Sequence, residues 1–419
     1  MSLRFVHAAD LHLDSPFIGL SANASPRISK TLRDATFVAY ERIIDLCIEE
    51  KVDALLVAGD IYDGADRSLR AQQKFVAGLN RLEVAGIRSF ICHGNHDPLS
   101  GWEAGLTLPP GCHRFGADVA SVPFDLSDPS RGMVYGYSYP RQSVKDNTAR
   151  QFKRDQPSGA AIGLLHCNLD GNTAHEPYAP CTTDDLIASE MDYWALGHVH
   201  TRRVVRSQAP AIVYPGNPQG RHPKETEARG VYLVSIDDAN QVMAEFRVTD
   251  VVRWADVSVS IDGIDGLEEL LTGIENAVGQ ALDDAAGRHL VYRLVLTGRG
   301  ELHDALQRGS NLDDILASCR ESNGAPFTWC ALLEDHTSAA FDRDAALRAG
   351  DFLSEVLKLV DAASVTSPER SDLQSELAFF NHDKVRRILK DSLPEGEEFE
   401  QILRDAESLC VAQLSEALK

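Results

Sequence analysis

The chain has 419 residues, 43% hydrophobic and 25% charged, with 30 Gly and 18 Pro. These are proportions of a soluble globular protein of two or three domains, not of a disordered, collagen-like or membrane-spanning chain. A formal charge of -22 argues, taken alone, against a partner as acidic as nucleic acid, but residues 1–250 carry 25 Lys and Arg against 31 Asp and Glu while residues 251–419 carry 16 against 32. The acidity belongs mainly to the C-terminal part, so overall charge does not settle the partner.

Met1 to His7 enters a strand-like run with no signal-peptide h-region or cleavage site, which predicts a cytoplasmic protein, and no run of about 18 apolar residues predicts a membrane span. The eight cysteines form no CxxC pair and sit mostly in apolar runs, which argues against a disulfide scaffold and a zinc ribbon.

In chain order, short apolar runs read as strands at Leu3–Ala8, Ala54–Ala58, Ile87–Cys92, Met133–Tyr137, Ala161–His166, Tyr193–Leu196, Ala211–Tyr214 and Val231–Ile236. Arg27–Glu50 repeats Leu32, Ala35, Ala39, Ile43, Leu46 and Cys47 at helical spacing, and Ser68–Val84 does so with Phe75, Val76, Leu79 and Leu82. The pattern predicts a layered α/β core whose strands are buried by helices. From Val251 the character changes: Val257–Ile261 alternates, Leu267 to Leu282 repeats at helical spacing and Leu290–Leu296 is strand-like, a small β-α-β unit. Phe352–Val360 and Phe399–Leu418 read as amphipathic helices separated by polar, Pro-containing stretches. The expected organisation is a first domain over residues 1–250, a small α+β domain over 251–345 and a helical region over 346–419.

Chemistry-bearing residues gather at the predicted strand ends. Asp10 and His12 follow the first strand, Gly59-Asp60-Ile-Tyr-Asp63 the second and Gly94-Asn95-His96-Asp97 the third, while His166 closes a later one and Gly197-His198-Val-His200 closes the set. In an open α/β sheet the C-terminal strand ends share one edge, where residues distant in sequence can converge on a ligand. Carboxylate, imidazole and amide donors together suit a pair of divalent transition ions, and such a pair stabilises both the attacking and leaving oxygens of a phosphoryl displacement. Each element alone is weak, because loop histidines and turn aspartates are common. Five in order, each at a strand end, outweigh a purely structural explanation. Asp97 reads equally well as a cap of the next segment and is not counted in the site, and His7, His93 and His113 fit no motif and read as structural histidines.

These residues resemble the calcineurin-like metallophosphoesterases. Ala8–Leu13, Ala58–Asp63 and the Val213-Tyr-Pro-Gly-Asn-Pro-Gln-Gly-Arg-His222 turn are most similar to the nuclease subunits of SbcCD-type DNA repair complexes, and His12-Leu-Asp-Ser-Pro-Phe17 is similar to their YhaO-like bacterial branch. The resemblance spans about residues 1–250. It implies a layered β-sandwich flanked by helices, followed by a small α+β capping domain and a helical partner-binding tail. It places one ion on Asp10, His12, Asp60 and His200 and the other on Asp60, Asn95, His166 and His198, with Asp60 bridging. It makes His96 the group that stabilises phosphoryl charge and protonates the leaving oxygen, with Asp63 as its orienting carboxylate, a departure from nuclease members that carry His there. The cofactors implied are two divalent ions, Mn²⁺ foremost, with Fe²⁺, Zn²⁺ and Mg²⁺ as alternatives. The partners implied are DNA, an SbcC-like coiled-coil ATPase bound through the C-terminal end, and a second copy of the chain; no membrane is expected.

Arg202, Arg203 and Arg206 follow the His-x-His element, and Arg221, His222, Lys224 and Arg229 follow the glycine turn, the most basic region adjoining the predicted site. Arg202, Arg221 and His222 are the expected phosphate contacts, against the ordinary reading of a solvated charged face. Phe399, Ile402, Leu403, Ala406 and Leu409 either pack inward or meet a partner helix. The first functional expectation is a metal-dependent DNA exonuclease, with endonuclease capability, acting in repair. The second is a phosphoesterase for small substrates such as a cyclic nucleotide or phosphomonoester. A third, a scaffold holding structural metals, needs no spare His96 and Asp63 beside a complete ligand set.

Overall fold

A computed structural model describes residues 3–417 apart from 16, 18–23, 65–67, 156–158, 172–177, 322–323 and 365–396. The chain divides into two compact units: Met1–Val257 with Asn276–Leu294 and Leu316–Leu333, and Ser258–Glu275 with Val295–Ile315 and Glu334–Lys419.

The first unit rests on β1 (Leu3–Ala8), β2 (Ala54–Ala58), β3 (Arg88–Cys92), β4 (Cys112–Arg114), β5 (Ala120–Pro123), β6 (Gly132–Gly136), β7 (Ala160–His166), β8 (Tyr193–Gly197), β9 (Arg203–Arg206), β10 (Ala211–Tyr214), β11 (Gly230–Ile236) and β12 (Val242–Val248). They form two six-stranded sheets, ordered β12-β11-β1-β2-β3-β4 and β5-β6-β7-β8-β10-β9. Pairing within the β1-β2-β3 and β6-β7-β8 triplets is parallel, so their C-terminal ends point one way within each sheet.

All five residues of β2 are buried, because both faces are covered. Leu55 and Val57 pack with residues of two helices, α1 (Pro26–Glu49) and α2 (Leu69–Val84), while Ala54, Leu56 and Ala58 share a second core with Ile162, Leu164 and Ala195 of the other sheet. A third core, with Leu165, Trp194, Leu196 and Leu186, covers the outer face of the second sheet. Both helices start where local chemistry favours it: Ser25 caps the Ile28 amide ahead of Pro26, and Ser68 caps the Ala71 amide.

The strands named from apolar runs appear within one residue at each end. Strands β4, β5, β9 and β12 were not anticipated. They are short or exposed, and in β12 only Val242, Ala244 and Phe246 turn to the core, so no continuous apolar run marks them. The strand ends of interest also come from two sheets, not from the single open edge that the spacing alone suggests.

Beyond residue 250, β13 (Val252–Ser260), β14 (His289–Thr297) and β15 (Thr328–Asp335) form a three-stranded sheet ordered β13-β14-β15, accompanied by α3 (Leu267–Asp284); the division between the units passes through each of these strands. In the second unit, Leu353 and Leu357 of the Phe352–Ser364 helix pack with Val411 of the Glu397–Ala417 helix, and Phe399 and Leu403 pack with Ala363. The predicted apolar stripe is thereby split, since Ile402 and Leu409 are exposed. No helix among the described residues is long and apolar enough to cross a membrane.

Candidate metal centre

The backbone at the strand ends is bent hard to bring these side chains together. Asp10, His12, Asp60 and His198 all have positive φ (52°, 41°, 49° and 100°), a region non-glycine residues enter at a cost that surrounding contacts must offset. The offset is visible: the amides of Asp10 and His12 donate to the carbonyls of Gly59 and Asp60 at 3.1 and 3.0 Å, and the His198 amide donates to Asp10 Oδ1 at 3.0 Å. A side chain at Gly94 would collide with Asp60 Oδ1 and the His166 ring, and one at Gly197 with the Ala58 carbonyl, so glycine permits the close approach of the loops.

The cluster has two lobes around Asp60. In one, Asp10, His12 and His200 converge, with His12 Nε2 3.1 Å from His200 Nε2. In the other, Asn95 Oδ1 lies 3.0 Å from His166 Nε2 and 3.2 Å from His198 Nδ1. Asp60 Oδ2 lies between the lobes, 3.8 Å from His12 Nε2 and 3.4 Å from His166 Nε2. Asp10, His12, Asp60 and His166 are at most 1% exposed, Asn95 6% and His198 7%.

These contacts are poor hydrogen bonds and good ligand geometry. Asp63 Oδ1 takes the Nδ1 side of His12 at 3.1 Å and Glu225 Oε1 that of His200 at 2.6 Å, which leaves both Nε2 lone pairs aimed at each other. Likewise the Ala58 carbonyl occupies His166 Nδ1 at 3.0 Å, leaving Nε2 toward the Asn95 and Asp60 oxygens. Donor atoms that all bind one ion at the usual 2.0–2.2 Å are separated by about 3.0–3.4 Å, as here. The residues present fit two divalent ions.

Electrostatics follows from burial and charge. Burial pushes the His12 imidazole down to about 3, helped by Arg221 and against Asp63 and Asp60, which keeps the ring neutral as a ligand must be. Burial alone would lower His166, but Asp60 and Asp10 raise it to about 10, so without an ion a proton sits among the carboxylates. Burial would raise Asp60, yet His166, His12 and His96 hold it well below the usual carboxylate range, whereas burial raises Asp10. Asp63 and Glu225 are both held low despite burial, chiefly by His12 and His200 respectively.

His96 sits at the edge of the cluster, its side chain 44% exposed, its amide on Asp60 Oδ1 at 2.9 Å and its Nδ1 3.4 Å from Asp63 Oδ1. The third carboxylate-histidine group, His12, Asp63 and His96, is accounted for by these orienting contacts. Of the predicted phosphate contacts, Arg221 turns inward: its Nη1 donates to Ser15 Oγ at 2.6 Å and lies 3.2 Å from Asp63 Oδ1. Among the described residues, Arg202 and His222 have no polar contact with the cluster. Arg202 is exposed, its guanidinium 4.3 Å from the Phe246 ring centroid, and His222 Nδ1 accepts the Lys224 amide at 3.1 Å. Arg229, counted with the basic surface in the sequence, is buried and holds the His200 carbonyl and Asn217 Oδ1.

Sequence reasoning missed Glu225, which lies in a polar run with nothing to distinguish it from Glu227, and it discounted Asp97. That residue is fully buried, and its carboxylate accepts from the Gly94 and Ile61 amides and contacts His93 Nδ1. Gln219 was also not singled out; its amide group pins the glycine turn to the backbone of Val251 and Val252.

Comparison with known proteins agrees with this geometry. Residues 3–202 match the family model of the calcineurin-like phosphoesterases, and residues 254–338 match the middle domain of the metallophosphoesterase YhaO. The chain is 33% identical over 416 residues to "Uncharacterized metallophosphoesterase YhaO" of Bacillus subtilis (strain 168), covering 98% of each. It is 28% identical over 227 residues to "DNA double-strand break repair protein Mre11" of Aeropyrum pernix, covering 51% of this chain and 53% of that protein. It is 25% identical over 304 residues to the Methanopyrus kandleri protein of the same name, covering 64% and 61%.

Proposed function

The chain belongs to the calcineurin-like metallophosphoesterases, in their YhaO branch, and we propose that within this family it is a two-metal nuclease hydrolysing phosphodiester bonds in DNA, as an exonuclease with endonuclease capability in repair. The observation that carries the hydrolytic part is the exposed His96 ring beside a buried donor set for two ions, backed by a carboxylate. DNA as substrate draws support from similarity to relatives named for DNA double-strand break repair, and from exposed Arg202, Arg203, Arg206, His222 and Lys224.

In this reading Asp10, His12, Asp60 and His200 hold one ion and Asp60, Asn95, His166 and His198 the other, Mn²⁺ foremost. When bound, the ions supply Lewis-acid stabilisation of phosphoryl charge and lower the pKa of the attacking water. His96 is oriented by Asp63 through Nδ1, so Nε2 is the atom that holds a proton for the leaving oxygen. Arg202 and His222 contact backbone phosphates without reading sequence. The exposed Ile402 and Leu409 meet an SbcC-like ATPase, and the nuclease unit pairs with a second copy.

The test is Mn²⁺-dependent hydrolysis by the purified chain of end-labelled linear DNA beside a small chromogenic phosphodiester, with His198→Ala as control. DNA degradation that the variant lacks is expected. Cleavage of the small ester alone, with no DNA cleavage even when the ATPase partner is added, returns the function to a small-substrate phosphoesterase.

A further inference from the structure

The polar contacts around one lobe of the metal centre close into a ring. His12 Nε2 faces His200 Nε2 at 3.1 Å; His12 Nδ1 meets Asp63 Oδ1 at 3.1 Å; His200 Nδ1 meets Glu225 Oε1 at 2.6 Å. The circuit is completed by a single residue. Arg221 lies with Nη1 3.2 Å from Asp63 Oδ1, and its backbone amide donates to Glu225 Oε2 at 2.6 Å. Ser15 reinforces the first joint, donating to Asp63 Oδ2 at 2.8 Å while accepting from Arg221 Nη1 at 2.6 Å.

We propose that Arg221 is a positioning residue that joins the carboxylate supports of His12 and His200 into one clamp, its guanidinium anchored on Asp63 and Ser15 and its backbone amide on Glu225, so that ion retention in this lobe and the orientation of His96 depend on the side chain that anchors this backbone. This rests on the two-metal reading of the site. Three features carry it. Arg221 has only 14% of its side chain exposed and spends Nη1 on internal partners, so it is placed to hold the site together. Asp63 serves two histidines at once, His12 at 3.1 Å and His96 at 3.4 Å, so a shift of its carboxylate is felt by ligand and acid together. In the other lobe His166 Nδ1 is supported by the neutral carbonyl of Ala58 and not by a carboxylate. Carboxylates behind histidine ligands fix the tautomer and raise ligand basicity, and their loss costs about 10–100-fold in metal affinity. Both side-chain contacts are made through Nη1, so an ammonium that reached the same point could replace them in part.

The experiment is a calorimetric Mn²⁺ titration of the full chain, comparing wild type with Arg221→Met, Glu225→Gln, the double variant, and Arg221→Lys in case the methionine variant does not fold. Expected is a loss of about tenfold or more in affinity at one of two sites for each single change, little further loss in the double variant, and partial recovery in Arg221→Lys. With Mn²⁺ saturating, kcat should fall with KM for a phosphodiester unchanged. An unaltered isotherm overturns the proposal. A raised KM with an unaltered isotherm also does, and makes Arg221 a substrate contact instead. Fully additive losses in the double variant show two separate supports and no clamp. The titration needs no substrate: wild type that binds two Mn²⁺ and degrades no DNA removes the nuclease reading while leaving the clamp to its own result.

Discussion

The carboxylate of Asp97 accepts the amide of Ile61, 36 residues earlier in the chain, at 2.9 Å, and so locks the loop after β2 to the loop after β3. Those loops carry Asp60 and the Asn95-His96 pair. The other oxygen of Asp97 takes the Gly94 amide at 2.8 Å, and His93 Nδ1 lies 3.0 Å from the oxygen that takes Ile61, so the path of the loops carrying Asp60, Asn95 and His96 is set by a residue outside the donor cluster.

Asp97→Ala should therefore strip an acceptor from two buried amides and a buried histidine. The expected cost is roughly 2–4 kcal/mol, the sum typical of leaving such groups unsatisfied. Chemical denaturation of the metal-free protein measures it directly. Wild-type stability in the variant would reduce the Asp97 contacts to a consequence of the loop path.

Replacing the exposed ring at His96 should separate binding from chemistry. His96→Asn is expected to keep two Mn²⁺ per chain by elemental analysis and to lower kcat by about 10²–10⁴, the usual contribution of a general acid. A variant that loses an ion as well would place His96 among the ligands.

Removing metal should be visible in stability as well as in turnover. Without ions, Asp10 and Asp60 remain buried against each other and the His12 and His200 lone pairs face one another. Chelation should lower the melting temperature, and Mn²⁺ at a hundredfold its Kd should restore about 2.7 kcal/mol per site by mass action. An identical melting curve with and without chelator would mean that the cluster takes no ion in the folded state.

His7 gives a pH signature separate from the candidate metal centre. Its ring is fully buried between the Tyr193 hydroxyl at 2.9 Å and the Leu196 carbonyl at 3.2 Å, and burial pushes its pKa down to about 3. The unfolded chain takes up this proton below about 6.5 while the folded chain resists it down to about 3, so the unfolded state binds more protons in that window. Stability should fall as pH drops from 6.5 toward 3, by as much as about 4 kcal/mol from this group, and be insensitive to it above 6.5. His7→Phe should flatten the stability slope between pH 6.5 and 5; an unchanged slope assigns the effect to other groups.

Much of the core was legible because its physics is local. Apolar runs such as Ala54–Ala58 are continuous where a strand is covered on both faces, and the helical repeat from Leu32 to Cys47 is the buried face of one helix. The order Asp10, Asp60, Asn95, His166, His198 was likewise readable, since a strand followed by a short polar turn fixes which residue emerges at the strand's end. What the sequence could not supply was anything depending on contacts between distant segments. Exposed edge strands such as β12 leave no run to detect, and the pairing of strands into two sheets depends on crossovers. The inward turn of Arg221, the support of His200 by Glu225 and the brace at Asp97 depend on loops 25 to 206 residues apart in sequence for Glu225 and Ser15, or on a carboxylate meeting an amide one strand away. Composition and periodicity determined the elements and their chemistry; only folding, by bringing buried charges close enough to need one another, decided which polar residues hold that chemistry in place.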